Sequence, residues 1–335
     1  MKQVARPPTA GLIFSDILDL VGSKLQAVEA EFTRNLRSEI GVIDELGGYI
    51  SEGGGKRVRP LLLLLSAQMV GYRGDRDVLF ASVFEFIHTA TLVHDDVIDG
   101  ASLRRGRSSL NAAWGNSLTV LLGDYLYIKS MSMALTADDL RIIKILADIT
   151  LRMIEGELIQ ARRVGDINVS PEEHLEVIRR KTAYLFAGCS QVGGVLADAS
   201  PAQEKALCSY GMNLGMSFQI VDDLLDFTAD PKTLGKPVAS DLREGKVTLP
   251  LIYLLERKDP EARAKISVVL QDGDFSRVSS EEIVSLVREN GTLDRARELA
   301  KHYGERARAE LSGFPDGLAR RAMESFPDLI LARDH

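Results

Sequence analysis

Along this 335-residue chain the apolar positions return at three- and four-residue intervals, the period of helices buried on one face. No alternating stretch lasts long enough to suggest a sheet. Local signals mark where helices start. "SPEE" at 170–173 and "SPAQ" at 200–203 each supply an N-cap serine, a proline at the first helical position and an acid or amide at the third. "SSEE" at 279–282 is the same capping box without proline, and "KRVRP" leads through Pro60 into a helix over 61–70. Gly71, Gly115, Gly165 and Gly291 stand where helices would stop or loops turn. Beyond about residue 255 the chain is more charged, which predicts amphipathic helices over 256–335 packed on the outside of one body. The expectation is all-α: a single domain over 1–335, with roughly ten or more helices.

Composition narrows the function. At 45% hydrophobic residues the chain can bury a sizeable core. A net charge of −7 argues against a nucleic-acid binder, which would carry a basic footprint. Cys189 and Cys208 form no CxxC pair, so neither a disulfide framework nor a thiolate metal site is expected, and a reducing cytoplasm suits them. The opening "MKQVARPPTA" has no apolar segment of the signal-peptide kind. The apolar run "LLLLLSAQMV" at 61–70 is too short to span a bilayer. No stable membrane insertion is expected.

Against that background the acids at 95–99 are out of place. "VFEFIHTATLVHDDVID" is a buried-helix pattern that ends on Asp95, Asp96 and Asp99. "LGMSFQIVDDLLD" ends the same way on Asp222, Asp223 and Asp226. The outer acids of each motif are i and i+4, one turn apart on one face, where like charges repel. A solvated helix end would tolerate one such motif. Two copies in apolar settings point to a cation that offsets them, and Mg²⁺ fits, taking one or two carboxylates and completing its shell with water and phosphate oxygens.

The basic residues fit a phosphate as well. "GGGKRVRP" at 53–60 sets Lys56, Arg57 and Arg59 behind three glycines. It is no Walker loop, since Lys56 is followed by Arg and position 50 is Ile. "LRRGR" at 103–107 puts Arg104 and Arg105 just past the first acidic motif. His88 and His94, six residues apart, lack the spacing of a helical zinc pair; a packing role is expected for His94. Asp124 reads as a structural acid, and the Met and aromatic series of "LLGDYLYIKSMSMAL" as core that in part lines a cavity.

In these blocks the chain resembles the trans-prenyltransferases of the polyprenyl synthetase family, long-chain octaprenyl diphosphate synthases in particular. "GGGKRVRP", "HTATLVHDDVIDGASLRRG", "LLGDYL", "RRKTAYLF", "SFQIVDDLLDF" and "LGKPVASDLREGKVTLPLIYLL" follow the family's order over about residues 50–255. The resemblance implies the isoprenoid synthase fold, antiparallel helices around a deep central cavity, as a homodimer. It implies that an allylic diphosphate such as farnesyl or geranyl diphosphate ionises. Isopentenyl diphosphate then attacks the cation, and loss of a proton leaves a product one isoprene unit longer. By position, Asp95, Asp99 and Asp222 resemble the metal ligands, supported by Asp96, Asp223 and Asp226. Arg104, Lys181, Lys236 and Lys246 would hold the allylic diphosphate, with Thr182 and Gln219 facing the reacting carbons. Lys56, Arg59, His88 and Arg105 match the isopentenyl diphosphate site.

Product length is read from Ala90 and Thr91, the positions where bulky aromatics end growth early in short-chain relatives. Both are small here and the first motif has no insertion, so an octaprenyl-like product for a quinone side chain is expected. Phe84, eleven residues before Asp95 and so roughly 16 Å below it, could instead act as a floor and give a farnesyl or geranylgeranyl product. Three other readings stay open at this point. A class I terpene cyclase would carry an Asn/Ser/Glu-type second motif instead of "DDLLD". A non-catalytic subunit of a heteromeric synthase would not need intact acids and arginines. A helical scaffold would bind no diphosphate.

Overall fold

The computed structural model describes residues 13–104, 106–229 and 238–333. It is built of helices: α1 (Phe14–Leu36), α2 (Gly41–Glu52), α3 (Val58–Val70), α4 (Arg76–Ile98), α5 (Leu110–Trp114), α6 (Asn116–Leu135), α7 (Leu140–Ala161) and α8 (Pro171–Ile178). A π-helical turn (Arg179–Ala183) leads into α9 (Tyr184–Leu196) and α10 (Pro201–Thr228). After these come α11 (Ser240–Arg243), α12 (Leu249–Glu256), α13 (Pro260–Asp272), α14 (Ser280–Glu289), α15 (Thr292–Glu310) and α16 (Leu318–Leu331). Strand pairing among the described residues is one exception to the sequence expectation. Leu103–Arg104 and Arg107–Ser108 form a two-residue antiparallel hairpin, turned by Gly106 at φ 76°. Two residues are too few for a periodic pattern to register.

The helix starts follow the caps. Ser170, Ser200 and Ser279 each accept the backbone N–H three residues on, and Glu173, Gln203 and Glu282 complete the boxes. The helix expected at 61–70 begins at Val58, with Pro60 in its first turn, where no N–H is needed, and stops at Gly71 in the left-handed region (φ 100°). Leu61–Leu65 are all at most 1% exposed, so α3 is apolar all round and lies inside the body. It packs against α4 and α9; α10 packs against α9 and α15; α4 against α6. No helix among the described residues is long and apolar enough to cross a membrane.

One expectation needs correction. The segment beyond 255 does not lie only on the outside. Ala296, Ala300, Gly304 and Ala307 of α15 are buried, and Gly304 brings the helix against Pro327 and close to Ser217 of α10. Small residues add little to mean hydropathy, yet they let helices approach closely. That is why the sequence looked more superficial than the packing is. Glycines do the same at the centre. A Cβ on Gly211 of α10 would sit 2.4 Å from the Phe186 carbonyl oxygen of α9. Gly211→Ala should therefore cost about 1–3 kcal/mol, as overpacked cores do. Chemical denaturation checks this; unchanged stability would show that the two helices have slack.

Candidate active site at two helix ends

Both acidic motifs lie in the last turns of their helices. Asp95, Asp96 and Asp99 end α4, with Asp99 as its C-cap; Asp222, Asp223 and Asp226 occupy the last two turns of α10. A helix C-terminus carries about half a negative charge, so these acids meet their own helix dipole as well as each other. Positive side chains from distant segments answer them. Lys246 Nζ is 2.8 Å from Asp99 and 2.9 Å from Glu244. Lys181 Nζ is 3.6 Å from Asp95 and 2.7 Å from Glu157 of α7. Burial opposes the charge on both lysines, but the facing carboxylates outweigh it and raise both pKa values.

The middle acids behave differently. Asp96 is 2% exposed and accepts a hydrogen bond from Arg104 Nε at 2.7 Å, which ties the hairpin down onto α4. Asp223 is also buried and accepts from His174 at 2.8 Å and from Gln219 Nε2 at 3.0 Å. Gln219 Oε1 in turn accepts from Thr182 Oγ1 at 2.8 Å. Asp226 is turned inward to cap α11, accepting from Ser240 N, Ser240 Oγ and Asp241 N. Asp222 remains half exposed, 3.3 Å from Arg333, whose guanidinium lies 4.6 Å over the Phe218 ring.

Lys181 and Thr182 reach this point because the chain makes a π turn just there, which adds a residue to the turn and re-aims its side chains. Gly156 makes room: a Cβ there would lie 2.8 Å from Arg180 Cβ and 2.9 Å from the Lys181 nitrogen. A cavity of about 140 Å³ is lined by Lys181, Thr182, Gln219, Asp223, His174 and Lys246, among others. The structure thus draws together Asp95, Asp99, Lys181 and Lys246, and brings Thr182, Gln219 and Asp223 into the cavity that both lysines line. Lys56 is exposed on the loop before α3, where partial desolvation by its neighbours and then the nearby charge of Arg333 lower its pKa. Arg59 stacks 5.0 Å over Phe186. His88 is half-buried on α4, its carbonyl accepting from Thr91 Oγ1 at 2.7 Å. Ala90 is buried. Arg105 and Lys236 lie outside the described residues.

His94 packs as expected: its Nε2 is 3.1 Å from the Val120 carbonyl oxygen and fills the space a side chain at Gly123 would need. Sequence reasoning missed Glu157, His174, Asp241 and Arg333. Burial raises the Glu157 carboxyl pKa; Lys181 opposes this, and Asp95 and Asp99 add to it. Burial likewise raises Asp241 well above the usual range, helped by the charges of Asp226 and Asp223. Asp241 sits in the quoted "LGKPVASDLREGKVTLPLIYLL" block and could have been singled out there; isolated residues such as Glu157 and His174 carry no comparable signal.

The donor set suits a hard cation: aspartate oxygens on two helix ends, with no thiolate beside them. No three acids, histidines or cysteines among the described residues converge as a complete cage. Mg²⁺ does not need one, since it keeps waters and takes up phosphate oxygens.

Comparison with known proteins identifies the family. The sequence model of the Polyprenyl synthetase family matches residues 41–287. The octaprenyl diphosphate synthase of Escherichia coli K12 is 38% identical over 318 residues, 95% of this chain and 98% of that one. Heptaprenyl diphosphate synthase component 2 of Geobacillus stearothermophilus is 37% identical over 93% of this chain and 96% of its own. The crystal structure of a polyprenyl synthase from Caulobacter crescentus CB15, complexed with calcium and isoprenyl diphosphate, superposes with a TM-score of 0.93 at 35% identity, covering 98% of this chain and all of that one. The chain belongs to the polyprenyl synthetase family: it is a prenyltransferase with the all-α isoprenoid synthase fold.

Proposed function

We propose that this enzyme adds isopentenyl diphosphate units to an allylic diphosphate, Mg²⁺-dependently, and releases a long all-trans polyprenyl diphosphate for a quinone side chain. The observation that carries the proposal is the pairing of Asp95 with Lys181 and of Asp99 with Lys246, cations from segments far away in sequence. Lysines so placed can turn from the acids to a diphosphate bridged to those acids.

In this reading Asp95, Asp99 and Asp222 hold Mg²⁺, with Asp96, Asp223 and Asp226 fixing the helix ends. Magnesium, when bound, supplies charge that stabilises the leaving diphosphate. Arg104, Lys181, Lys236 and Lys246 grip that group as the allylic C–O bond breaks and its electron pair departs with oxygen. Thr182 donates to Gln219, which turns the hydroxyl's lone pairs outward, available to the allylic cation. Lys56, Arg59, His88 and Arg105 hold isopentenyl diphosphate, whose double bond supplies the electrons of the new C–C bond before a proton leaves. Asp95→Ala or Asp222→Ala should lower kcat by orders of magnitude, roughly 10²-fold or more, in a folded protein. Near-normal kcat for both at saturating Mg²⁺ would refute the metal assignment.

For product length, the similarity to an octaprenyl synthase and the small Ala90 and Thr91 support a long chain. A shorter product is the second reading, because Phe84 is fully buried and its ring reaches the space beside Gly188 of α9, with Ile149 of α7 alongside. Mass spectrometry of the product from farnesyl and isopentenyl diphosphates separates the two. A dominant farnesyl or geranylgeranyl product contradicts the long-chain reading, and Ala90→Phe should shorten the wild-type product.

We also propose a homodimer in the cytoplasm, each chain folded as a single domain. Leu121, Ile128 and Leu135 of α6 are exposed at seven-residue intervals, and Leu151, Ile154 and Leu158 of α7 are exposed at three- and four-residue steps. Such stripes suit helix-on-helix association. Light scattering should give a two-chain particle that Ile128→Glu dissociates. A fully active monomer would overturn the proposal; activity only with a second, different chain would favour a heteromeric synthase, as the name of the Geobacillus relative suggests for that protein.

A further inference from the structure

Between Lys56 and Arg59 stands Arg57, a residue the reading above leaves unused. It is the N-cap of α3 at φ 47°, ψ 37°, a left-handed conformation uncommon for a residue with a Cβ. Its guanidinium is occupied. Nε and Nη2 donate to the two carboxylate oxygens of Glu29 on α1, the latter at 2.9 Å, and Nη1 lies 3.5 Å from Glu85 on α4. One face lies 5.2 Å over the Phe32 ring of α1. With each nitrogen already facing a carboxylate, Arg57 is poorly placed to bind a phosphate itself.

What it holds is informative. Glu85 is 4% exposed and stands one turn before His88 on the same helix. A carboxylate so buried needs a cation beside it. Burial raises the pKa of the neighbouring Cys189 thiol; Arg59 opposes that and Glu85 adds to it, so both charges stand near one spot. Arg57 therefore ties the loop to the helix that carries His88, within reach of Arg59. On its other side lie Gly53, Gly54 and Gly55, three residues with little conformational preference. Without an anchor right after them, Lys56 would sample many directions.

We propose that Arg57 is a positioning residue for the second diphosphate: clamped to α1 and α4, it sets the loop before α3 and the first turn of that helix so that Lys56 and Arg59 grip the anion together with His88. The proposal rests on the assignment of those three residues to isopentenyl diphosphate. A diphosphate that arrives at a preset loop does not have to order it, so the effect belongs in the affinity for that substrate.

Steady-state kinetics with each substrate varied in turn tests this, with thermal melting alongside. Arg57→Ala should raise KM for isopentenyl diphosphate by about tenfold and leave the allylic KM within about twofold. Arg57→Lys, which keeps the charge and loses the fork, should recover part of the loss. Equal changes in both Michaelis constants, or none, would overturn the role. Lys56→Ala serves as control. If it raises KM for isopentenyl diphosphate and Arg57→Ala does not, positioning alone fails; if neither does, the site assignment fails and the proposal with it. Should Arg57→Ala not fold, Glu29→Gln removes half of the clamp from a more exposed acid, and the same selective rise, about threefold, is required of it.

Discussion

Negative charge concentrated at two helix C-termini is the constraint on which this molecule depends. Around the first motif Asp95, Asp99, Glu157 and Glu244 face Lys181 and Lys246, four carboxylates against two ammonium groups. Asp96 is balanced separately by Arg104. Among the described residues the cluster keeps an excess of negative charge at the end of α4, whose dipole has the same sign there. A diphosphate arriving alone would add to the repulsion. In the proposed mechanism divalent cations would convert the excess into attraction, and the lysines, whose raised pKa values keep them charged, would receive the phosphate oxygens.

Holding that arrangement is a problem of packing, since its members come from separate helices. Gly211 lets α10 close on α9, and Gly215 lies against Ala183 of the π turn. Gly156 seats the same turn on α7. These contacts set the distance between Thr182 and Gln219, and through Asp223 they reach His174 on α8. The three buried acids have a different task from the more accessible ones. Asp96, Asp223 and Asp226 accept from Arg104, His174 and the start of α11, and so lock the segments that carry basic groups onto the acidic helix ends.

Much of this was legible in the sequence, for physical reasons. Capping boxes at Ser170, Ser200 and Ser279 act within four residues, so their signature is local. The acidic motifs stood out because acids one turn apart in an apolar helix conflict with helix stability. The hidden parts have no local signature. A π turn at Arg179–Ala183 depends on what α7 and α10 press against it, and the pairing of Glu157 with Lys181 is purely tertiary. Arg333 approaches Asp222 across 111 positions of sequence, beyond any spacing argument. The depth of α15 in the body was obscured for the opposite reason: past Leu293 its buried face is alanine and glycine, which reads as weakly apolar.

The proposed chemistry requires one linkage, that the acidic helix ends accept a diphosphate only together with divalent cations. Calorimetric titration of the wild-type enzyme with farnesyl diphosphate, without the second substrate, measures it directly. Affinity in Mg²⁺ should exceed that in EDTA by at least about tenfold, a coupling within the range typical of linked ligands. Equal affinity in both would mean that lysine and arginine alone carry the diphosphate, and would contradict the account.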